Sequence, residues 1–219
     1  MRIGTWNLAG RWSPGHRALL EGAGCDTWLL TEVPARFDLA GGELLRSDPI
    51  PNTGGRSWAA VWSAGPVTPL PSPHEAAALA RRDGLVLCSC VLPWRSAGAT
   101  WPDAAANTAG RTRAALARLR PTLLAEAPRM IWGGDWNHAM SGREHGGSME
   151  GRRAIQAQVD EAELRVATAV QRHAIEGLLS IDHIAVPSTW ATACRRILAI
   201  ADGRRLSDHD AYVVYVTRP

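Results

Sequence analysis

Met130-Ile131-Trp132-Gly133-Gly134-Asp135-Trp136-Asn137-His138 is the stretch from which the rest of this chain is read. An apolar run drops through two glycines into a carboxylate and a carboxamide. That is the pattern of a buried strand whose end delivers Asp135 and Asn137 to one place. In an extended chain residues two apart point the same way, so Asp135 and Asn137 share a face and Trp136 turns away to pack. Gly133 and Gly134 have two readings: they clear side chains where a ligand nears the backbone, or they meet the steric demands of a strand-ending turn.

Four further segments share the design. Gly4-Thr5-Trp6-Asn7-Leu8 puts an asparagine at the end of a short apolar strand, and Leu29-Leu30-Thr31-Glu32-Val33 ends another in a glutamate. Leu179-Ser180-Ile181-Asp182-His183-Ile184 and Leu206-Ser207-Asp208-His209-Asp210 repeat it near the finish. Polar strand ends carrying Asn, Glu, Asp-x-Asn, Asp and Asp-His in this order resemble the endonuclease/exonuclease/phosphatase superfamily, the DNase I-like enzymes. The resemblance spans Asn7 to His209. It implies a four-layer α/β sandwich, two packed mixed β-sheets flanked by helices.

Length and composition fit that frame. The 219 residues suit one domain over 1–219, and 46% hydrophobic against 21% charged residues is globular composition. Every basic residue is arginine, which excludes a catalytic or Schiff-base lysine and a P-loop lysine. A net charge of +3 and a pI near 8.9 suit an anionic substrate but fall short of a dedicated DNA-binding footprint. Ten tryptophans stand against two tyrosines and one phenylalanine. They are expected to fill core positions, with Trp94 and Trp101, in a Pro/Gly/Ala-rich loop, as exposed exceptions. Cys25, Cys88, Cys90 and Cys194 form no metal-type pairing, so they read as buried thiols. No secretory signal or membrane-length apolar run is present, so a cytoplasmic monomer without membrane contact is expected.

In chain order, Ile3–Leu8, a brief helix over His16–Gly22 and a strand over Asp26–Leu30 form a βαβ unit. It brings Asn7 and Glu32 to one sheet edge, where open α/β sheets place ligands. Glu43–Arg46 and Ser57–Ser63 read as antiparallel strands about the turn-rich Pro49–Gly55. His74–Arg82 reads as one or two helical turns, and Leu85–Leu92 as a buried strand. A loop over Ser96–Ala106 leads to a helix over Asn107–Leu124. Ser141–Gly151 is a glycine-rich loop, and Gly151–Ala162 an amphipathic helix. Arg165–Val170, Gly177–Val186 and Cys194–Ala201 read as strands, the last turned by Asp202-Gly203. Ala211–Val216 is the final strand. His183 points away from Asp182 in an extended segment, so it is expected to be packed or hydrogen-bonded rather than a ligand.

Together the strand ends supply carboxylates, carboxamides and one imidazole, with no positioned serine or cysteine nucleophile. Clustered carboxylates repel unless a cation sits among them, and an all-oxygen set suits Mg²⁺ or Mn²⁺. The fitting reaction is attack of water on a phosphate ester. The resemblance implies roles: Glu32 the principal metal ligand, with Asp208 close by and Asn7 ordering that carboxylate. Asp135 orients and deprotonates the water, Asn137 donates to the phosphate, and His209, held by Asp182, faces it. Many relatives carry a tyrosine or histidine near the end of the mid-chain strand that touches the scissile phosphate, where this chain has Cys90-Val91-Leu92-Pro93-Trp94-Arg95. Arg95 is one replacement, a surface arginine its alternative. Trp94, Arg95, Trp101, Arg143 and His145 form a candidate surface for stacking a base and holding phosphate. The expected substrate is a small or single-stranded phosphoester, possibly nucleic acid. A phosphomonoesterase or an inactive binding module is the alternative.

Overall fold

The computed structural model describes residues 1–98, 101–105 and 107–219. Its first unit is parallel: β1 (Arg2–Asn7) and β2 (Thr27–Val33) flank helix α1 (Pro14–Ala23). The helix is longer than the sequence suggested. Pro14, preset for helical φ, opens it behind Ser13, and Gly24, left-handed at φ 59°, closes it in place of Gly22. There follow β3 (Glu43–Arg46), β4 (Ser57–Ser63), β5 (Thr68–Leu70), β6 (Ala77–Arg82) and β7 (Leu85–Val91). A second parallel unit links β7 through α2 (Thr108–Ala125) to β8 (Met130–Asp135). The chain ends with α3 (Met149–Glu161), β9 (Leu164–Val166), β10 (Asp182–Pro187), β11 (Ala191–Ile197), β12 (Ile200–Ala201), β13 (Arg204–Arg205) and β14 (Ala211–Thr217).

Two six-stranded mixed sheets result, ordered β11-β14-β1-β2-β4-β3 and β5-β6-β7-β8-β10-β9. Each contains one parallel pair, β1/β2 or β7/β8, among antiparallel neighbours. Period-two alternation packs them. Leu29 of β2 and Ile131 of β8 face each other's sheet in the central core, while Trp28 and Leu30 turn out beneath α1. Met130 and Trp132 turn out beneath α2 and α3. Helix, sheet, sheet and helix pair are therefore stacked in four layers, as the family resemblance implied.

Three expectations are corrected. His74–Arg82 is not helical: Ala77–Arg82 is β6, paired over its whole length with β7. Its alanines favour helix locally, but Ala78 and Ala80 line the inter-sheet core while Ala77 and Leu79 pack under the helices, so a strand buried on both faces wins. Asp83-Gly84, both at positive φ (49° and 76°), makes the tight hairpin to β7, the same device as Asp202-Gly203 (50° and 71°). Second, Trp101 is 4% exposed, not a surface residue. Third, the strands expected over Arg165–Val170 and Gly177–Val186 shrink to β9 and β10, and the chain between them is irregular. In the Ser96–Ala106 loop, residues 99, 100 and 106 lie outside the described residues. The four cysteines are free, and Cys88 and Cys90 are buried in the core beneath α2 and α3.

Candidate active site

The carboxyl ends of both parallel pairs meet at one edge of the sandwich, Asn7 ending β1 and Asp135 ending β8. Gly133 and Gly134 allow this by steric necessity: a Cβ on Gly134 would sit 2.1 Å from the Cys90 carbonyl oxygen, and one on Gly133 2.5 Å from that of His183. Gly134 also adopts φ 118°, where a side chain is strained. The two glycines therefore let β7 and β10 close on β8; no ligand is needed to explain them.

Asn7 is the bridge between the sheets. Its Nδ2 donates to Asp135 Oδ2 at 2.8 Å and to Glu32 Oε1 at 3.1 Å, and its Oδ1 accepts from the Ala9 N–H. Glu32 sits at φ 50°, a conformation costing a non-glycine residue about 1–3 kcal/mol; the Arg56 Nη1 donates to its Oε2 at 2.8 Å. Asp135 Oδ1 accepts from the Asn137 N–H at 2.9 Å. Asn137 is left-handed (φ 53°), not extended, and one N–H of its amide goes to the Leu92 carbonyl at 2.9 Å. So Asp135 and Asn137 do converge, through a turn rather than a shared strand face.

The segment carrying Asp208 and His209 is fixed from the same side. Ser207 Oγ donates to the Asn7 carbonyl at 2.7 Å and accepts the His209 N–H at 3.1 Å, while Trp6 Nε1 donates to the His209 carbonyl at 3.2 Å. Asp210, buried, receives Arg196, Arg205 and the Ala199 N–H, pinning the β12–β13 hairpin behind it. His209 Nδ1 donates to Asp182 Oδ2 at 2.7 Å, and its Nε2 lies 4.0 Å from Asp135 Oδ2. Asp182 and Asp135 are themselves cross-strand partners on β10 and β8. Asp208 stands exposed beside this array.

Electrostatics separate the roles of these groups. Burial and the nearby Asp182 lift the Asp135 carboxyl to about 7, against the pull of His209, Asn7 and the Asn137 N–H. On His209 burial opposes the charge, yet Asp182, Asp135 and Asp208 outweigh it and raise the ring to about 10. Asp135, Asp182 and His209 offer ligand-type atoms within 4.8 Å of one another. Asp182 engages His209 Nδ1, so Nε2 is the ring atom that faces Asp135 and the cavity. His183, as expected, faces away and is fully buried, its Nε2 donating to the His138 carbonyl at 2.9 Å.

Above the array opens a cavity of about 530 Å³, lined on its polar side by Glu32, Arg56, Asp135, Asn137 and His209 and on its apolar side by Ile50, Trp58, Val91 and Trp94. Trp94 is partly buried and packs edge-on against Trp101, ring centroids 6.2 Å apart. Of the anticipated surface residues only Trp94 lines this cavity. Trp101 packs against Trp94, Arg95 is exposed with Nε donating to the Gly147 carbonyl at 3.3 Å, and Arg143 is exposed and not part of the lining. His145 leans on His173, whose ring in turn meets that of His209. Sequence reasoning missed Arg56, the one arginine in the cavity lining. It follows the turn-rich Pro49–Gly55 with no periodic pattern to mark it; the available signal was its place immediately before β4.

Comparison with known proteins turned up no matching family model and no matching curated protein. Solved structures do match. The endonuclease domain of TRAS1, a telomere-specific non-LTR retrotransposon, superposes with a TM-score of 0.68 at 17% identity, over 97% of this chain and 96% of that one. A 3′ phosphatase from Neisseria, bound to product DNA hairpin, gives 0.69 at 17% identity over the whole of both chains. An endonuclease/exonuclease/phosphatase protein from Beutenbergia cavernae gives 0.61 at 16% identity, over 98% of this chain and 70% of that one. The chain thus has the endonuclease/exonuclease/phosphatase, DNase I-like, fold. Among the described residues no helix is long and apolar enough to cross a membrane.

Proposed function

We propose that this chain is a divalent-metal-dependent phosphoesterase, a single catalytic domain acting as a nuclease or phosphodiesterase on small or single-stranded substrates. One observation carries the reading. Asp135, with a carboxyl near 7, faces the protonated His209 across 4.0 Å at the floor of an open cavity. A base matched to neutral pH and a cation opposite it are what water attack on a phosphate ester requires.

The donor set also fits a metal. Glu32 and Asp208 are hard, oxygen-only groups, and the Asn7 Nδ2 already orients the Glu32 carboxylate. When bound there, Mg²⁺ or Mn²⁺ supplies charge neutralisation at the phosphoryl oxygens and leaving group. The chain's own residues do the rest. Asp135 accepts the proton of the attacking water, its free lone pairs directed by Asn7 and Asn137. His209 donates towards a phosphoryl oxygen and Asp182 keeps the ring charged and aimed. Asn137 has a second amide N–H to give to phosphate, the first being held by Leu92. The Neisserial neighbour is a 3′ phosphatase, which keeps a phosphomonoester in the panel of substrates.

The test is turnover of single-stranded oligonucleotide, plasmid, abasic-site duplex and small phosphomonoesters and diesters, with Mg²⁺, Mn²⁺ or excess EDTA. Metal-dependent cleavage of the single-stranded or small substrates is expected. Undiminished hydrolysis in EDTA would remove the metal from the mechanism, and steeply salt-sensitive cleavage confined to duplex would overturn the substrate assignment.

A further inference from the structure

Beside the catalytic cavity lies a second one of about 570 Å³, bounded by Gly10, Pro34, Arg36, Thr53, Gly54 and Arg56. Thr53 and Arg56 line both, so they form the sill between them. The two cavities differ in charge. The catalytic cavity is lined by ionisable groups of both signs, the carboxylates of Glu32 and Asp135 with Arg56 and His209, whereas among the described residues the ionisable groups lining its neighbour are arginines alone, Arg36 and the shared Arg56. Arg36 is exposed and Arg56 is held at the boundary, its Nη1 on Glu32 at 2.8 Å and its buried Nε without a hydrogen-bond partner. Gly10 seats that guanidinium. A Cβ there would stand 2.8 Å from Arg56 Cδ and 2.9 Å from Nη1, so a side chain at this position would push the arginine off the sill.

We propose that the adjoining cavity is a second anion subsite, holding the phosphate next to the scissile one in a chain of phosphodiesters. A lone phosphomonoester fills only the catalytic cavity, where Arg56 is within the lining and Arg36 is not. An oligonucleotide strand laid across the sill puts its next phosphate opposite Arg36 and Arg56, where guanidinium forks match phosphate oxygens. This rests on the phosphoesterase reading and narrows its substrate to a chain with at least two adjacent phosphates.

Equilibrium binding tests it apart from turnover. The full chain carrying Asp135→Asn is titrated, by fluorescence anisotropy, against a labelled single-stranded hexanucleotide and against versions in which one linkage at a time is an uncharged methylphosphonate. Neutralising one particular linkage is expected to weaken binding about tenfold, and Arg36→Ala to abolish that dependence while leaving the other linkages alone. An Arg36→Ala effect spread evenly over all linkages, or no linkage that depends on Arg36, would overturn the subsite. Failure of the phosphoesterase reading looks different: the Asp135-bearing chain would cleave none of the substrates with any metal, whatever the binding map shows.

Discussion

Asn7 Nδ2 lies 2.8 Å from Asp135 Oδ2 and 3.1 Å from Glu32 Oε1, so one buried carboxamide joins the last residue of β1 to the last of β8 and to the end of β2. One side chain thus ties the ends of the two sheets together at the candidate site. Like charges on Glu32 and Asp135 would otherwise drive the carboxylates apart, and Asn7 offers each a donor.

Asn7→Ala should therefore cost activity more than stability. Loss of a single positioning hydrogen bond at a reacting group typically lowers kcat/KM on the order of 10²-fold. Steady-state kinetics on an oligonucleotide substrate, read beside thermal unfolding, would show it. A variant that unfolds in step with its lost activity would make Asn7 a structural residue only.

His209 and Asp182 should behave as one unit. The ring is charged because Asp182 sits on its Nδ1 at 2.7 Å, so removing either partner removes the same cation from the cavity. We expect His209→Ala and Asp182→Ala each to cost about 10²–10³-fold, and the double variant far less than their product. Simple multiplication of the two losses would separate the residues.

Much of this site was legible because strand ends announce themselves: an apolar run that stops in Asn7, Glu32 or Asp135 has its side-chain chemistry at the sheet edge whatever the loops do, whereas Asp182 opens β10 instead of ending a strand. Glu43–Arg46, Ser57–Ser63 and Leu85–Leu92 were legible for a related reason, since continuous or alternating apolar residues bounded by Gly and Pro fit few other structures. What escaped is what depends on tertiary neighbours. Ala77–Ala80 reads as helix until β7 and two cores claim its faces. Trp101 reads as exposed until Trp58, Trp94 and His74 surround it. Ser207 and Arg56 have unremarkable local contexts, and only the meeting of β1, β2 and their loops gives them partners.

Buried histidines should set the acid limit of stability. His183 is fully buried between Thr168 and the His138 carbonyl, and burial holds it down to about 4 from 6.5. The unfolded chain then binds the proton more tightly than the folded one. Its contribution is complete above about 6.5 and is lost progressively as pH falls through that value towards 4. The drop is on the order of 3 kcal/mol for this ring. Urea unfolding from pH 7 to 4 should show the decline, with a shallower slope for His183→Asn whatever that variant's starting stability. Arg152, His138 and Asp182 are the charged or titratable groups acting on it. Identical slopes would place the acid sensitivity elsewhere, His16, His138 and His173 being depressed in the same direction.

Trp94 should divide substrates by whether they carry a base. Its indole is propped by Trp58 and Trp101, each with ring centroids 6.2 Å away, and it lines the apolar wall of the catalytic cavity opposite Glu32 and Asp135. Val91 ends β7 on the same wall, so this side of the cavity favours flat apolar surface over phosphate. Stacking a base on an aromatic side chain contributes about 1–3 kcal/mol, which is roughly 5- to 150-fold in affinity. Trp94→Ala should raise KM for a single-stranded oligonucleotide within that range while leaving kcat/KM for a small, base-free phosphodiester nearly unchanged. Trp94→Phe, which keeps a ring on the same prop, should recover most of the difference. Equal losses on both substrates would mean that Trp94 merely holds the Trp58 and Trp101 cluster in place.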